Sequence, residues 1–397
     1  MKKLLYLVHR LPYPPNKGDK IASFNLLKFL STKYSIYLGC FIDDDIDWQY
    51  VDELKKYCED SCVVGLNPKI SKIMSLRGVF TGEPLSLPYY RNKQLQVWVD
   101  NTVQQEQIDS VLIFSGVMAQ YVSQKLPLKG HAVLDLVDVD SDKWRLYAED
   151  HIWPLSWLYL RESKKLLAYE AEMAAKFDAT VFVSEKEADF FKQLVPRVAD
   201  KVVFRVHGVD SQYFDPSVDY DSPYPIDTPV FVFAGAMDYW PNIHAAIWFA
   251  EEIFPLIKQK MNNACFYIVG MNPSDEVLKL AEIPGVYVTG SVDDIRPYIA
   301  CATISVAPLR IARGIQNKVL EAMAMGKPIL ATKNALNGIR NFDEFSPVIA
   351  ETVEEMVEGA LTLLNNPEGN QARQCVLEHY NWDTNLRRVD DLLKNGL

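Results

Sequence analysis

VAPLRIARGIQNKVLEAMAMGKPILA, residues Val306–Ala331, reads as strand, loop, helix and strand. The helix starts after Gly314 and stops at Gly326, where a left-handed C-cap glycine is expected. At about 100° per residue, Gly314, Asn317, Lys318 and Glu321 fall within an arc of about 100°, and Ile315, Val319, Leu320, Ala322 and Met323 cover the other faces. A surface helix carries a broad polar face, so this narrow stripe points to mostly buried surroundings and a polar site at the helix start. The plain alternative is a weak Lys318–Glu321 surface pair. The loop favours the site. Arg310, Arg313 and Gly314 set positive charge and a flexible backbone before a helix N-terminus, whose dipole and free N–H groups also attract anions. A carboxylate one or two turns inside can accept hydrogen bonds from sugar hydroxyls, so a diphosphate next to a ribose fits.

Working outward, the chain alternates short apolar runs with helical patterns. Lys3–Val8, Ser35–Phe41, Ser110–Phe114, Ala132–Val137, Ala179–Val183 and Lys201–Val206 read as strands, with helices at Ile21–Leu30 and Leu95–Gln105. Asp215–Pro229, with four prolines, reads as a linker. The alternation then restarts with strands at Val230–Ala234, Cys265–Val269, Val286–Thr289, Ile304–Ala307, Ile329–Ala331 and Val348–Ala350, and helices at Ala245–Gln259 and Ile315–Met325. The expectation is two doubly wound α/β domains, residues 1–210 and 211–379, with a C-terminal helix at about 380–397 packing back on the first. Ligands in such sheets sit at the carboxyl ends of the strands.

A length of 397 residues suits two domains, each with its own core. The net charge of -11 argues against non-specific nucleic-acid binding. His9 and Arg10 interrupt the first apolar run too early for a signal peptide, and no run is long enough to span a membrane. Six scattered cysteines suit reduced thiols in a cytoplasm, and Cys58 and Cys62 lack partners for a zinc site. No G-x-G-x-x-G or Walker motif supports an oxidoreductase or P-loop kinase.

NKVLEAMAMGKPILAT resembles the donor-binding signature of GT-B glycosyltransferases of family 4. PPNKGDKIASFNLLKFL (Pro14–Leu30), VSEKEADFF (Val183–Phe191), VHGVDSQYFDP (Val206–Pro216) and FAGAMDYWPNIHA are similar to further family segments in the expected order. DLVDVDSDKW and GIQNKVLEAMAMG look most like the exopolysaccharide sugar transferases associated with exosortase and PEP-CTERM systems. The resemblance implies two Rossmann-like domains facing a cleft, a retaining mechanism and a UDP- or GDP-sugar donor held by the second domain. It implies that Glu321 binds the ribose, and that Lys318 or Arg310 faces the diphosphate. The first Glu of the family's E-x7-E motif falls at Arg313, and the family's basic residue after Gly235 is replaced by a loop holding Trp240 and Asn242.

The donor set is thus Gly18, Gly235, Arg310, Arg313, Gly314, Asn317, Lys318 and Glu321. Gly18, after the first strand, either admits the donor near the backbone or simply forms a turn. Asp135, Asp138, Asp140 and Asp142 follow a buried strand. Asp138 or Asp140 stands where the family often has a His, and Asp138 is read as the catalytic carboxylate or as a loop cap. No metal and no cofactor are expected. His9 either faces the cleft or, as the favoured reading, is buried and hydrogen-bonded. Pro68–Arg77 and His151–Lys165 mix bulky apolar and basic residues, as core helices or membrane-interface segments do. Together they suggest a lipid-linked acceptor at the inner face of the cytoplasmic membrane. The resulting expectation is a cytoplasmic, metal-independent glycosyltransferase acting on a saccharide or lipid-linked acceptor. Its rivals are a nucleotide-sugar epimerase of the same fold and a catalytically inactive assembly subunit.

Overall fold

The computed structural model describes residues 1–397 apart from 16, 207, 313–314, 340–344 and 367–369, and only the backbone of 370 and 383. Contacts divide the chain into two units, Met1–Val206 with Asp383–Leu397, and His207–Trp382.

The first unit holds a seven-stranded parallel sheet ordered β3-β2-β1-β4-β5-β6-β7. Its strands are β1 (Lys2–Val8), β2 (Tyr34–Ile42), β3 (Asp60–Gly65), β4 (Ser110–Phe114), β5 (Ala132–Val137), β6 (Ala179–Phe182) and β7 (Val202–Phe204). Every residue of β4 is buried, as a strand covered on both faces must be. The helix Trp382–Asn395 belongs to this unit from its second residue on: Asp390 accepts from Lys33 Nζ and, at 2.9 Å, from the Tyr34 hydroxyl. A second buried pair, Lys20 with Asp47, ties the first helix to the loop after β2.

The second unit holds a six-stranded parallel sheet ordered β10-β9-β8-β11-β12-β13. Its strands are β8 (Val230–Ala234), β9 (Cys265–Val269), β10 (Val286–Gly290), β11 (Ile304–Ala307), β12 (Ile329–Ala331) and β13 (Val348–Ile349). Both sheets reverse direction beside their first strand, between β1 and β4 and between β8 and β11. Ligands of doubly wound sheets lie at the carboxyl ends of the strands at this switch point.

The Pro-rich stretch 215–229 does not act as a free linker. Tyr224 is buried within the second unit, its ring 4.6 Å from Tyr267 and its hydroxyl donating to the Tyr298 carbonyl at 2.6 Å. Prolines keep the segment irregular, and tyrosines supply the apolar surface that holds it down.

Candidate functional site

In the second unit, β8 runs into Gly235 and β11 into Pro308, Leu309 and Arg310, so these turns flank the switch point. A Cβ on Gly270, after β9, would lie 1.6 Å from the Gly235 carbonyl oxygen, so only glycine lets these two turns meet. The helix after β11 spans Asn317–Ala324, with Gln316 as its extended N-cap. Gly326 closes it at φ +62°, with its N–H and that of Lys327 bonded to the carbonyls of Met323 and Ala322. This is the left-handed cap expected from the sequence.

Lys318, in the first turn, points its ammonium at Gly235 and Asn242. It donates to Asn242 Oδ1 at 2.5 Å and stands 4.8 Å from the centre of the Phe233 ring. A Cβ on Gly235 would meet Lys318 Nζ at 3.3 Å and Asn242 Nδ2 at 2.8 Å. Asn242 is fixed in turn, donating from Nδ2 to the Ala236 carbonyl at 2.8 Å. Glu321 lies one turn further along the same face. Both side chains are half-buried. Burial pushes the Lys318 ammonium down to about 7, against the pull of Glu321. Burial also pushes the Glu321 carboxyl up to about 7, against the pull of Lys318. Two oppositely charged groups held near neutrality are poised to gain charge stabilisation from a ligand.

Arg310 is exposed and lies over the Trp248 indole at 4.9 Å, with a guanidinium nitrogen 3.2 Å from His244 Nδ1. Trp240, Asn242, His244 and Trp248 all lie on the helix Trp240–Trp248, so one helix positions both basic groups. The structure thus brings Gly235, Lys318 and Asn242 together, with Asn317 and Glu321 on the same helix as Lys318. Arg313 and Gly314 lie outside the described residues.

Gly18 and Asp138 belong to the first unit. Gly18 is exposed and opens the helix Gly18–Ser31, where Lys17 offers no side-chain cap. Asp19 beside it binds Arg10 at 2.8 Å and stands 3.2 Å from His9 Nε2. Burial pushes the Asp19 carboxyl up, but the hydrogen bond from His9 and the Arg10 guanidinium outweigh it and hold the carboxyl well below the usual range. The other ring nitrogen of His9, Nδ1, is buried with no hydrogen-bond partner among the described residues, so this His is only half as satisfied as expected. Its ring stacks on Phe114, the last residue of β4.

Asp138 follows β5 past Val137, which adopts φ +69°, a costly conformation for a β-branched residue. Ser115, at the end of β4, is also left-handed at φ +76°. Asp138 Oδ2 pairs with Lys143 at 3.1 Å, Asp140 shares that lysine at 2.9 Å, and Asp138 Oδ1 is buried without a partner among the described residues. Asp135 lies deeper, fully buried and bonded to Arg205 Nε at 2.8 Å. Among the described residues, no three His, Cys, Asp or Glu side chains gather as metal ligands.

Residues 228–366 match the family model of the glycosyl transferases group 1. HepE from Anabaena, in a complex with UDP and glucose, shares the architecture over 99% of each chain at a TM-score of 0.67 and 15% identity. The fold is that of the GT-B glycosyltransferases. Sucrose-phosphate synthase from Thermosynechococcus elongatus matches at a TM-score of 0.73 and 15% identity, over 99% of this chain and 98% of that one. A point mutant of TarM from S. aureus, with UDP among its ligands, matches at a TM-score of 0.66 and 14% identity, over 99% of this chain and 100% of that one. No curated protein matches the sequence significantly. The family match covers the whole Lys318 site, from Phe233 to Glu321.

Proposed function

We propose that the chain is a retaining glycosyltransferase that takes a sugar from a UDP- or GDP-sugar bound by the second unit. The observation that carries this reading is the buried Lys318 ammonium, directed at Gly235 and Asn242 at the switch point, inside the segment matched by the family model. Lys318 and Arg310 neutralise the diphosphate as it leaves, and Glu321 accepts from ribose hydroxyls. Fixed cationic donors aimed at developing charge are a large source of catalysis. They supply here what a divalent ion supplies elsewhere, so the reaction runs without metal. Asp138, with one buried oxygen free of partners, takes the acceptor's proton. Retention and a role in cytoplasmic exopolysaccharide or cell-surface glycan synthesis, as in exosortase-associated systems, follow from the family resemblance. UDP bound to HepE and to TarM supports a nucleotide-sugar donor.

The test is incubation with labelled UDP- and GDP-sugars, in EDTA, with and without a membrane extract as acceptor. The expected result is labelled glycan product formed in EDTA only when acceptor is added. Conversion of the sugar without acceptor would replace this reading by an epimerase. Donor binding with no chemistry would replace it by an inactive binding subunit, the outcome that Arg313 at the position of the family Glu would favour. Activity lost in EDTA and restored by Mn²⁺ would overturn metal independence.

A further inference from the structure

The helix Pro68–Ser75 and the turn of helix Arg77–Thr81 that follows are built inside out. Their buried members are Ser75 and Gly78, while Ile70, Ile73, Leu76 and Phe80 face solvent, Phe80 with 91% of its surface exposed. A Cβ on Gly78 would meet the Glu83 carbonyl at 3.0 Å, so small residues on the inner side let this segment sit close. Core helices bury the opposite face.

A second exposed apolar group lies at the start of the helix Leu155–Lys176, where Trp153 is 77% and Trp157 54% exposed. The fold joins the two stretches. Arg161 donates to the carbonyls of Gly78 and Glu83, and Glu162 accepts from the N–H groups of Leu85 at 2.6 Å and Ser86 at 3.0 Å. Lys165 Nζ lies 4.0 Å from the Cβ position of Gly82.

The charges exposed within these two stretches are of one sign. Lys69, Lys72, Arg77, Lys164 and Lys165 are all exposed. No acidic residue occurs from 67 to 82, and the one from 151 to 165, Glu162, is fully buried by its backbone partners. This holds in a chain whose net charge is -11. Exposed apolar patches of this kind mark interaction surfaces.

We infer that this face of the first unit docks on an anionic lipid surface, with the Ile, Phe and Trp side chains entering the headgroup layer and the five cations meeting lipid phosphates. Indole rings and snorkelling lysines suit that boundary. A second copy of the chain fits poorly, because self-pairing would stack like charges. The inference does not depend on the transferase reading.

The test is flotation of the full-length chain with phosphatidylglycerol vesicles and with phosphatidylcholine vesicles, at low and high salt. The wild type should float with the anionic vesicles only, and less as salt rises. Replacing Lys69, Lys72, Lys164 and Lys165 by Gln should weaken binding about tenfold or more, since each cation near such a surface contributes favourably. Replacing Phe80, Trp153 and Trp157 by Ser should abolish flotation without lowering Tm, because all three are exposed. A wild type that never floats would overturn the inference. So would a Phe80, Trp153 and Trp157 variant that sediments as a monomer where the wild type is a dimer, with neither binding vesicles, because the face would then be a homotypic interface.

Discussion

Alanine in place of Lys318 should lower kcat/KM for sugar transfer by about 10²–10³-fold, the loss seen when one fixed donor to developing charge is removed. Among the described residues, nothing rewards that ammonium fully. Burial pushes it down to about 7, and its hydrogen bond to Asn242 and its place over Phe233 hold it aimed rather than neutralised. A lysine whose pKa is lower folded than unfolded costs stability, a cost that builds as pH falls from 10.5 towards about 7. The Lys318→Ala protein should therefore have an equal or higher Tm while losing activity. Lys318→Arg should not restore it, because the Gly235 turn leaves no room for a wider head. Steady-state kinetics and a melting curve check both points. Unchanged kcat/KM would remove Lys318 from the reaction.

The second large effect concerns stability. Arg205→Ala should destabilise the first unit by about 3–5 kcal/mol, because it strands the Asp135 carboxylate in the core. Both partners are completely buried, and burial already pushes the Asp135 carboxyl up against the pull of Arg205. Asp135 also accepts from the N–H of Val137 at 3.0 Å, so the pair supports the strained turn that presents Asp138. Replacing both residues by Leu should recover most of the loss, since well-packed apolar residues often equal a buried ion pair. Urea unfolding of the single and double variants measures this. An Arg205→Ala protein as stable as the wild type would show that water, rather than Arg205, satisfies Asp135.

Much of this was legible in the sequence where burial on both faces leaves an unbroken apolar run. Ser110–Phe114, Val230–Ala234 and Cys265–Val269 are strands over the expected residues. β3 escaped because it is an edge strand, in which only Cys62 and Val64 are buried. The helix expected at Ala245–Gln259 starts earlier, at Trp240 with Pro241 in its first turn, and passes through a wider turn at Phe249–Ile253. Pro255 follows that turn and has no N–H to bond back, so the regular spacing cannot continue.

In the site, Lys318 and Glu321 were legible because one helix carries both at a readable spacing. Asn242 was legible only as a residue of the loop after Gly235, whereas it lies on the helix Trp240–Trp248, and His244 and Trp248 were not legible, because no local pattern marks them and only the sheet order brings their helix to β11. The unpartnered nitrogen of His9 was illegible for the same reason. Its stacking on Phe114 depends on β1 pairing with β4 across more than a hundred residues of chain.

The central claim is that the Lys318–Glu321 face binds a nucleotide-sugar. Titration calorimetry with UDP-, GDP- and ADP-sugars tests it directly, comparing the wild type with Glu321→Ala. The wild type should bind one donor class, and the variant should bind it more weakly by about 1.5–3 kcal/mol, the loss of a charged hydrogen bond, with its Tm unchanged. A Glu321→Ala protein that binds the same donor as tightly as the wild type would contradict the claim.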